Sequence, residues 1–247
     1  MKKIFLFFTF LVLGINFALA VDNQELKEIL APEAKNIKFA PYIEENPGGL
    51  VRLFIFNPSS ANSSTEVSLI KQAINYASDV AAPYGKNLMD VKKSSYPKVK
   101  NFSVYVLRKS QTEPYVLNMI GANSVETRAI ASYPQTADTV RIFVFIDDSP
   151  YNPSNYNNIS KSEFLLETIV NFIHEAYGHA FEVIKNPSLA KKSNAEQEIV
   201  AYTVQLEGLK KLKQKHSGIF DESTKKLLDN YIKDTEFKIA YFKNNNY

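Results

Sequence analysis

The sequence changes character near residue 147, and this change limits the folds that the chain can adopt. Before it lie short segments rich in aromatic and β-branched residues, which are typical of strands. The predicted strands are residues 50–56, 102–107, 115–120, 127–131 and 140–146. A helix is predicted from Ser63 to about Val80, because Ser63 and Glu66 have capping-box spacing. Strands joined by short connections favour antiparallel pairing, so we expect a mostly antiparallel sheet covered by one helix.

The second part of the chain is predicted to be helical. Residues 147–160 are rich in Asp, Ser, Pro and Asn without an apolar period, as in a surface loop. Three helices are then expected, beginning at residues 160–162, after Ser193 and near Asp221, and ending before Asn186, near Ser217 and near Tyr241. Strands followed by helices indicate an α+β fold. We therefore predict one domain over residues 21–247, with a sheet-rich lobe at 21–159 and a helical lobe at 160–247.

The segment from Met1 to Ala20 has the three parts of a secretory signal peptide. A basic start at Lys2 and Lys3 precedes an apolar centre and the small-residue ending Ala18-Leu19-Ala20. We expect cleavage after Ala20 and a secreted or periplasmic product without a membrane anchor. Of the 29 basic residues two would be lost, against 26 acidic ones. A nearly neutral chain gives no electrostatic reason to expect nucleic-acid binding.

The absence of cysteine restricts the chemistry that the chain can perform. It excludes disulfides, cysteine catalysis and every zinc site that uses thiolates. Any metal ion must then be bound by histidine and carboxylate side chains.

Two of the three histidines lie close together in an apolar helical segment, in the sequence His174-Glu175-Ala176-Tyr177-Gly178-His179. Zinc peptidases commonly have their two histidines at i and i+4, on one face of a helix. At a spacing of five, the second imidazole would lie roughly 140° around a regular α-helix from the first. A π-bulge would realign them, and we predict one between Ile173 and Ala180, with Gly178 as the residue most tolerant of the distortion.

A catalytic zinc ion usually has three protein ligands, so a third is required. The candidates are His216 and two carboxylates near the start of the next helix, Glu196 and Glu198. Glu196 is three residues after Ser193 and is explained by a capping box. Glu198 has no such role and is followed by the small residue Ala201, so we predict Glu198 as the third ligand.

The sequence His174-Glu175-Ala176-Tyr177-Gly178-His179, followed by Glu198-Ile199-Val200-Ala201, resembles the gluzincin class of zinc metallopeptidases. Its five-residue spacing is similar to that of the dipeptidyl peptidase III family. The resemblance implies a zincin-like helical region with His174, His179 and Glu198 as Zn²⁺ ligands and Glu175 as the residue that activates the zinc-bound water. It covers about thirty residues and implies the chemistry alone, without dipeptidyl specificity.

The expected function is therefore a secreted metallopeptidase acting on a peptide or protein substrate. Glu175 would take the proton of the water and pass it to the leaving amine. An oxyanion partner is also expected, and Tyr202, His216 and Tyr231 are candidates among which the sequence does not choose; Tyr202 is retained with Glu175 as a predicted catalytic residue.

Other interpretations stay open. The chain could instead be a non-catalytic envelope protein that binds a peptide or protein partner and has a structural or vestigial metal site, or an effector whose peptidase acts in another cell. By analogy with zinc peptidases, the strand at residues 140–146 could be an edge strand that binds extended substrate, with the loop at 147–158 as a rim. It could equally be a buried central strand with a passive loop.

Overall fold

The computed structural model describes residues 41–56, 63–81, 87–108, 129–133, 138–146 and 159–244. Its strands are β1 (Pro41–Glu45), β2 (Val51–Phe56), β3 (Asn101–Arg108), β4 (Ala129–Ser132) and β5 (Thr139–Ile146). Its helices are α1 (Ser63–Val80), α2 (Lys161–Phe172), α3 (Glu182–Lys185), α4 (Asn194–His216) and α5 (Glu222–Asn244). A π-helical segment, Ile173–Phe181, joins α2 to α3 without interruption. The predicted α+β class is therefore observed, whereas the predicted signal peptide at residues 1–20 lies outside the described residues.

The five strands form one mixed sheet in the order β1-β2-β3-β5-β4. The β1–β2 and β4–β5 pairs are antiparallel, and the central β2–β3 and β3–β5 pairs are parallel. The prediction of a mostly antiparallel sheet is therefore wrong. Between β2 and β3 the chain passes through α1, which is long enough for the crossover that parallel strands require.

The central strands are buried on both faces, as is typical of parallel strands. On one face, Leu53, Val104 and Ile142 are in register and belong to the core shared with the helices. On the other face, the rings of Phe54 and Tyr105 stack at 5.0 Å, and those of Tyr105 and Phe143 at 5.3 Å. Apolar side chains on both faces explain why β3 and β5 are nearly continuous apolar runs.

The strand predictions agree with the structure where it describes them. The strands predicted at 50–56, 102–107 and 140–146 correspond to β2, β3 and β5, and the one predicted at 127–131 to β4. The strand predicted at 115–120 and the loop at 147–158 lie outside the described residues. β5 pairs with neighbours on both sides, so it is the buried strand of the two alternatives, and β4 lies at the edge of the described sheet.

The strand β1 was not predicted, although the turn that follows it was. Gly48 has a φ of 73°, and the backbone N–H of Gly49 donates to the carbonyl of Asn46 at 2.8 Å. Glycine is the residue that adopts a positive φ without steric cost, so this turn reverses the chain from β1 into β2.

The helices of the second part pack on the face of the sheet that carries Leu53. α2 begins within the predicted range with a cap, in which the Ser160 hydroxyl accepts a hydrogen bond from the backbone N–H of Glu163 at 3.0 Å. The π-helical segment reaches the sheet through Phe181, whose ring lies 5.2 Å from that of Phe102. Among the described helices, none combines the length and apolarity that crossing a membrane requires.

Candidate metal centre

The two histidines of the motif lie on one side of the π-helical segment. The predicted π-bulge is confirmed and is larger than a single turn, because Ile173–Phe181 is π-helical throughout. Hydrogen bonds in such a helix connect residues five apart, so His179 lies about one turn beyond His174. The Nε2 atoms of the two imidazoles are 3.2 Å apart.

Glu198 completes a cluster of three possible metal ligands. Its Oε2 lies 3.4 Å from Nε2 of His174, and its Oε1 lies 3.4 Å from Nε2 of His179. Two ligand atoms bound tetrahedrally to zinc at about 2.0–2.1 Å are separated by about 3.3–3.4 Å. The 3.2 Å between the two imidazole nitrogens is close to this value, and each imidazole has a different oxygen of Glu198 at 3.4 Å. Two imidazoles with one carboxylate are a zinc donor set. The three residues therefore fit a zinc ion.

The position of Glu198 follows from the start of α4. Ser193 and Glu196 form the predicted capping box, in which the Glu196 carboxylate accepts from the backbone N–H of Ser193 at 3.1 Å. The first turn of α4 is thereby fixed, and Glu198 lies directly after that turn. The predicted division of roles between Glu196 and Glu198 is consistent with these contacts.

Close packing of α4 on the π-helical segment holds Glu198 against the histidines. A Cβ atom on Gly178 would lie 2.8 Å from Cα and 2.9 Å from the carbonyl oxygen of Ala201. Gly178 does not have a positive φ, so glycine is needed there for this helix contact. Gly178 and Ala201 are therefore the contact point that sets the distance from Glu198 to the imidazoles.

The charges within the cluster reinforce one another in the metal-free protein. Burial acts to lower the pKa of His179, but its hydrogen bond to Glu198 and the charges of Glu175 and Glu198 outweigh burial and raise that pKa above 6.5. Burial acts to raise the pKa of Glu198, but the hydrogen bonds and charges of His174 and His179 lower it to about 2. Glu198 is therefore ionised at neutral pH, as a metal ligand must be.

Glu175 is buried beside the cluster but is not part of it. Its side chain is 9% exposed. Its negative charge acts on His179 and raises the pKa values of Tyr133 and Tyr202. A carboxylate next to a ligand, but outside the set of ligands, is available for proton transfer.

Two tyrosines, Tyr202 and Tyr133, lie near enough to the carboxylates of Glu175 and Glu198 for those charges to act on their pKa values. The ring of Tyr202, on α4, lies 4.5 Å from the ring of His174, and burial followed by the charges of Glu198 and Glu175 raises its pKa. Tyr133 follows β4, and its hydroxyl donates a hydrogen bond to Oε1 of Gln197. Burial, then the charges of Glu175 and Glu198, raise the pKa of Tyr133 to about 12. Both phenols are therefore protonated at neutral pH.

Tyr133 was not among the predicted site residues. Ala129 and Ala131 face the helices, because they pair with Val144 and Ile142 of the core face. Alternation along a strand places residue 133 on the same side. The strand period therefore contained a signal for Tyr133, provided that the strand is extended past residue 131.

The other two candidates for the oxyanion partner lie elsewhere. Nε2 of His216 is 2.8 Å from Oδ2 of Asp79. His216 is the last residue of α4, whereas Glu198 is near its start, so the two are roughly 27 Å apart along the helix axis. The hydroxyl of Tyr231 donates to Oε1 of Glu167 at 3.4 Å. Of the three candidates, Tyr202 alone contacts a residue of the cluster through its ring.

The second ring nitrogen of His174 lacks the hydrogen bond that zinc-bound histidines usually make. Such a nitrogen usually donates to a carboxylate or a carbonyl, whereas Nδ1 of His174 is buried and has no hydrogen-bond partner. The orientation of this ring therefore depends on its contacts with Tyr202, His179 and Glu198.

The three possible ligands form the group of metal-binding character among the described residues. The chain was also compared with models of protein families, with curated proteins and with solved structures, and no match was found in any of the three comparisons. The chemistry of the site must therefore be inferred from its own residues.

Proposed function

We propose that this protein is a secreted, zinc-dependent peptidase. The observation that carries the proposal is the geometry of His174, His179 and Glu198, with the buried carboxylate of Glu175 nearby. The imidazole nitrogens are 3.2 Å apart, and each has one oxygen of Glu198 at 3.4 Å. This is the arrangement that hydrolysis by an activated water requires, because the ligands and the general base are separate groups. Export rests on the signal-peptide pattern from Met1 to Ala20.

A bound zinc ion would polarise the scissile carbonyl and make a water molecule more acidic. Glu175 then accepts the proton of the attacking water and delivers it to the leaving amine. Tyr133 and Tyr202 remain protonated at neutral pH, and their hydroxyls donate hydrogen bonds to the carbonyl oxygen as it becomes negative. When substrate binds, the Tyr133 hydroxyl leaves Gln197 and donates its hydrogen bond to the substrate carbonyl oxygen instead.

The edge strand β4 supports a peptide as the substrate. β4 ends one residue before Tyr133, and in the described sheet it has a neighbour on one side alone. An extended peptide can add to such an edge through backbone hydrogen bonds. We therefore assign to residues 129–132 the role of substrate-binding edge strand, which the analogy with zinc peptidases suggested for residues 140–146.

The proposal is tested by measuring zinc and turnover in two variants. His174→Ala should lose the metal, as measured by elemental analysis of the purified protein. Glu175→Gln should retain zinc but lose cleavage of a peptide mixture by at least about a hundredfold, because general base catalysis contributes about that factor or more. Glu207→Gln, an exposed glutamate on α4, is the control and should retain both. Full zinc content in His174→Ala would overturn the proposal.

A non-catalytic protein with a structural zinc site is the second candidate. Structural sites are closed by four protein ligands, whereas the described residues contribute three to this cluster. This count favours a catalytic site. Two results would favour the envelope binding protein instead: zinc-loaded protein cleaves no peptide, and Glu175→Gln binds peptides as well as the wild-type protein does.

A further inference from the structure

An unbroken series of aromatic rings leads from the metal centre to the surface of α5. The ring of Tyr202, which contacts His174, stacks on Phe242 at 5.9 Å. The ring of Phe242 meets that of Tyr241 at 5.6 Å, and Tyr241 lies 6.4 Å from Phe237. We call Tyr202, Phe237, Tyr241 and Phe242 the aromatic strip.

The outer end of this strip is exposed. Phe237 is 67% exposed and Tyr241 is 53% exposed, and these two are the large hydrophobic side chains that stay exposed in the described part of the chain. Exposed apolar side chains are ordinary when they are scattered singly. Here both lie on one face of α5, four residues apart, and they continue a series of rings that begins at a metal ligand.

We infer that the aromatic strip is a substrate subsite that binds an aromatic or large apolar side chain close to the scissile bond of a peptide. This inference rests on the proposed function for the identity of the substrate as a peptide. Aromatic side chains on a substrate would stack on or edge against these rings, which is the favourable geometry for aromatic pairs.

The charges near the strip favour an apolar side chain over a charged one. The ammonium of Lys238 lies 5.2 Å from the centre of the Tyr202 ring and pairs with Asp234 at 2.9 Å. The lysine is therefore neutralised by a carboxylate of its own helix. The strip offers ring faces, and no unpaired charge within it would recognise an acidic or basic side chain.

The strip is better suited to a substrate side chain than to another protein surface. A stable protein interface buries about 800 Å² on each partner, whereas two exposed rings on one helix face cover much less. The strip is also continuous with His174, which a second copy of the chain or a lipid surface would have no reason to contact. A ligand that binds both the strip and the metal centre is a peptide with a large apolar residue near the bond that is cleaved.

The absence of tryptophan from the protein permits a direct test of binding. A short blocked peptide with a single tryptophan is titrated with the Glu175→Gln protein, and the indole emission is recorded. We expect saturable binding with emission shifted to shorter wavelength. Phe237→Ala and Phe242→Ala should each weaken this binding roughly two- to tenfold, which corresponds to an aromatic pair energy of about 0.5–1.5 kcal/mol.

Two controls separate the subsite from a general effect on the helix. Asn230→Ala, at an exposed position of the same helix, should bind the tryptophan peptide like the parent protein. A matched peptide with serine in place of tryptophan should compete weakly, and equally so with all variants. Melting temperatures of the variants establish that they are folded, and Phe237 is exposed enough that its truncation leaves the core intact.

The outcomes distinguish the subsite from the proposed function. Tryptophan-dependent binding that Phe237→Ala and Phe242→Ala weaken, without hydrolysis by the zinc-loaded wild-type protein, supports the subsite and overturns the peptidase. Hydrolysis without a preference for aromatic over serine peptides overturns the subsite and leaves the peptidase. If Phe237→Ala and Phe242→Ala bind the peptide unchanged, the subsite is overturned. Loss of sedimentation with phosphatidylcholine vesicles in these variants would then indicate a lipid contact, and loss of self-association would indicate a dimer contact.

Discussion

The two phenols beside the cluster of His174, His179 and Glu198 differ in how they are held. The Tyr202 ring is fixed between His174 and Phe242, whereas the Tyr133 hydroxyl is fixed by its hydrogen bond to Gln197. The amide of Gln197 donates in turn to the carbonyl of Lys192 at 3.0 Å. Tyr133 is therefore connected through Gln197 to the residues that begin α4, next to Glu198.

Removing either hydroxyl should slow catalysis without loss of zinc. Tyr133→Phe and Tyr202→Phe should each lower kcat by roughly 10²–10³-fold, because each removes a hydrogen-bond donor to the developing oxyanion. The measurement is steady-state cleavage with the zinc content determined in parallel. Tyr231→Phe, whose hydroxyl contacts Glu167 instead, is the matched control and should be unchanged. If both variants at the site kept full kcat, neither phenol would be catalytic.

The residues of the cluster could be predicted from the sequence, whereas the strand period indicated only which side of the sheet Tyr133 faces and not that it reaches this cluster. His174 and His179 are close in sequence, and the cap at Ser193 accounts for Glu196 and leaves Glu198 as the third ligand. Tyr133 enters the site from the end of a strand far upstream of the motif, and its position depends on how the strands are ordered. Local spacing contains no information about that order.

At the scale of secondary-structure elements, the cluster of His174, His179 and Glu198 depends on how closely α4 approaches the π-helical segment. The contact between Gly178 and Ala201 is one point of close approach, and Gly208 is a second, where an added Cβ would lie 3.1 Å from a methyl group of Ile173. Ala201 and Gly208, two turns apart on α4, are therefore the small residues that let this helix lie close to the π-helical segment.

Substituting Gly178 should displace α4 and weaken zinc binding. In Gly178→Ala the new methyl group would overlap backbone atoms of Ala201, which cannot rotate away, so we expect destabilisation of about 1–3 kcal/mol. Urea denaturation and zinc content measure the two effects. Gly218→Ala places its methyl group in open space and should change neither. Wild-type stability and zinc content in Gly178→Ala would show that the crossing is not tight.

A buried hydrogen bond connects the π-helical segment to α1. The Tyr177 hydroxyl donates to Oγ of Ser78 at 2.7 Å, and the same oxygen accepts from the backbone N–H of Leu88 at 2.9 Å. Ser78→Ala removes the partner of two buried donors, so we expect a loss of about 1–3 kcal/mol in the free energy of unfolding.

Urea denaturation is the measurement for this change, and Ser68→Ala provides its control. Ser68 is exposed on the same helix and accepts from the side chain of Gln72, so its loss should cost about 0.5 kcal/mol or less. Equal stability of the two variants would mean that the Tyr177 hydroxyl does not depend on Ser78.

For the whole molecule, zinc removal and pH should act together. The lowered pKa of Glu198 stabilises the metal-free fold above its ordinary 4.5, and that stability is lost as the pH falls towards 2. The raised pKa of His179 stabilises the metal-free fold below 6.5, and that stability is lost as the pH rises through the raised value. The metal-free protein therefore gains most from this pair between about pH 4.5 and 6.5.

Zinc affinity should have the opposite pH dependence and rise with pH, because zinc requires the neutral imidazole and displaces its proton. The difference in melting temperature between zinc-loaded and chelator-treated protein should therefore increase as the pH rises through and beyond 6.5. His179→Ala should abolish this increase. A difference that stays constant with pH would mean that protons and zinc do not compete at His179.

The class of the fold followed from the sequence, but the pairing of its strands did not. Alternation and caps predicted β2, β3, β5 and the helices because these signals are local. Parallel pairing of β3 with β5 brings Phe102 next to Val140, although the two residues are far apart in the chain. The antiparallel prediction assumed that neighbours in sequence are neighbours in the sheet, and β4 comes between β3 and β5 in the chain yet lies outside them.

The π-helical segment also determines how the length of this chain can change. Ile173–Phe181 accommodates one residue more between its histidines than a regular helix does. Deleting one residue there would restore a spacing of four, and a regular α-helix would again align both imidazoles. Because the wide turns absorb the extra residue, the same deletion would keep α3 in phase with α2 and leave Phe181 on the side that contacts Phe102. A one-residue deletion in this motif would therefore change the local winding of the helix while its packing on the sheet stays in place.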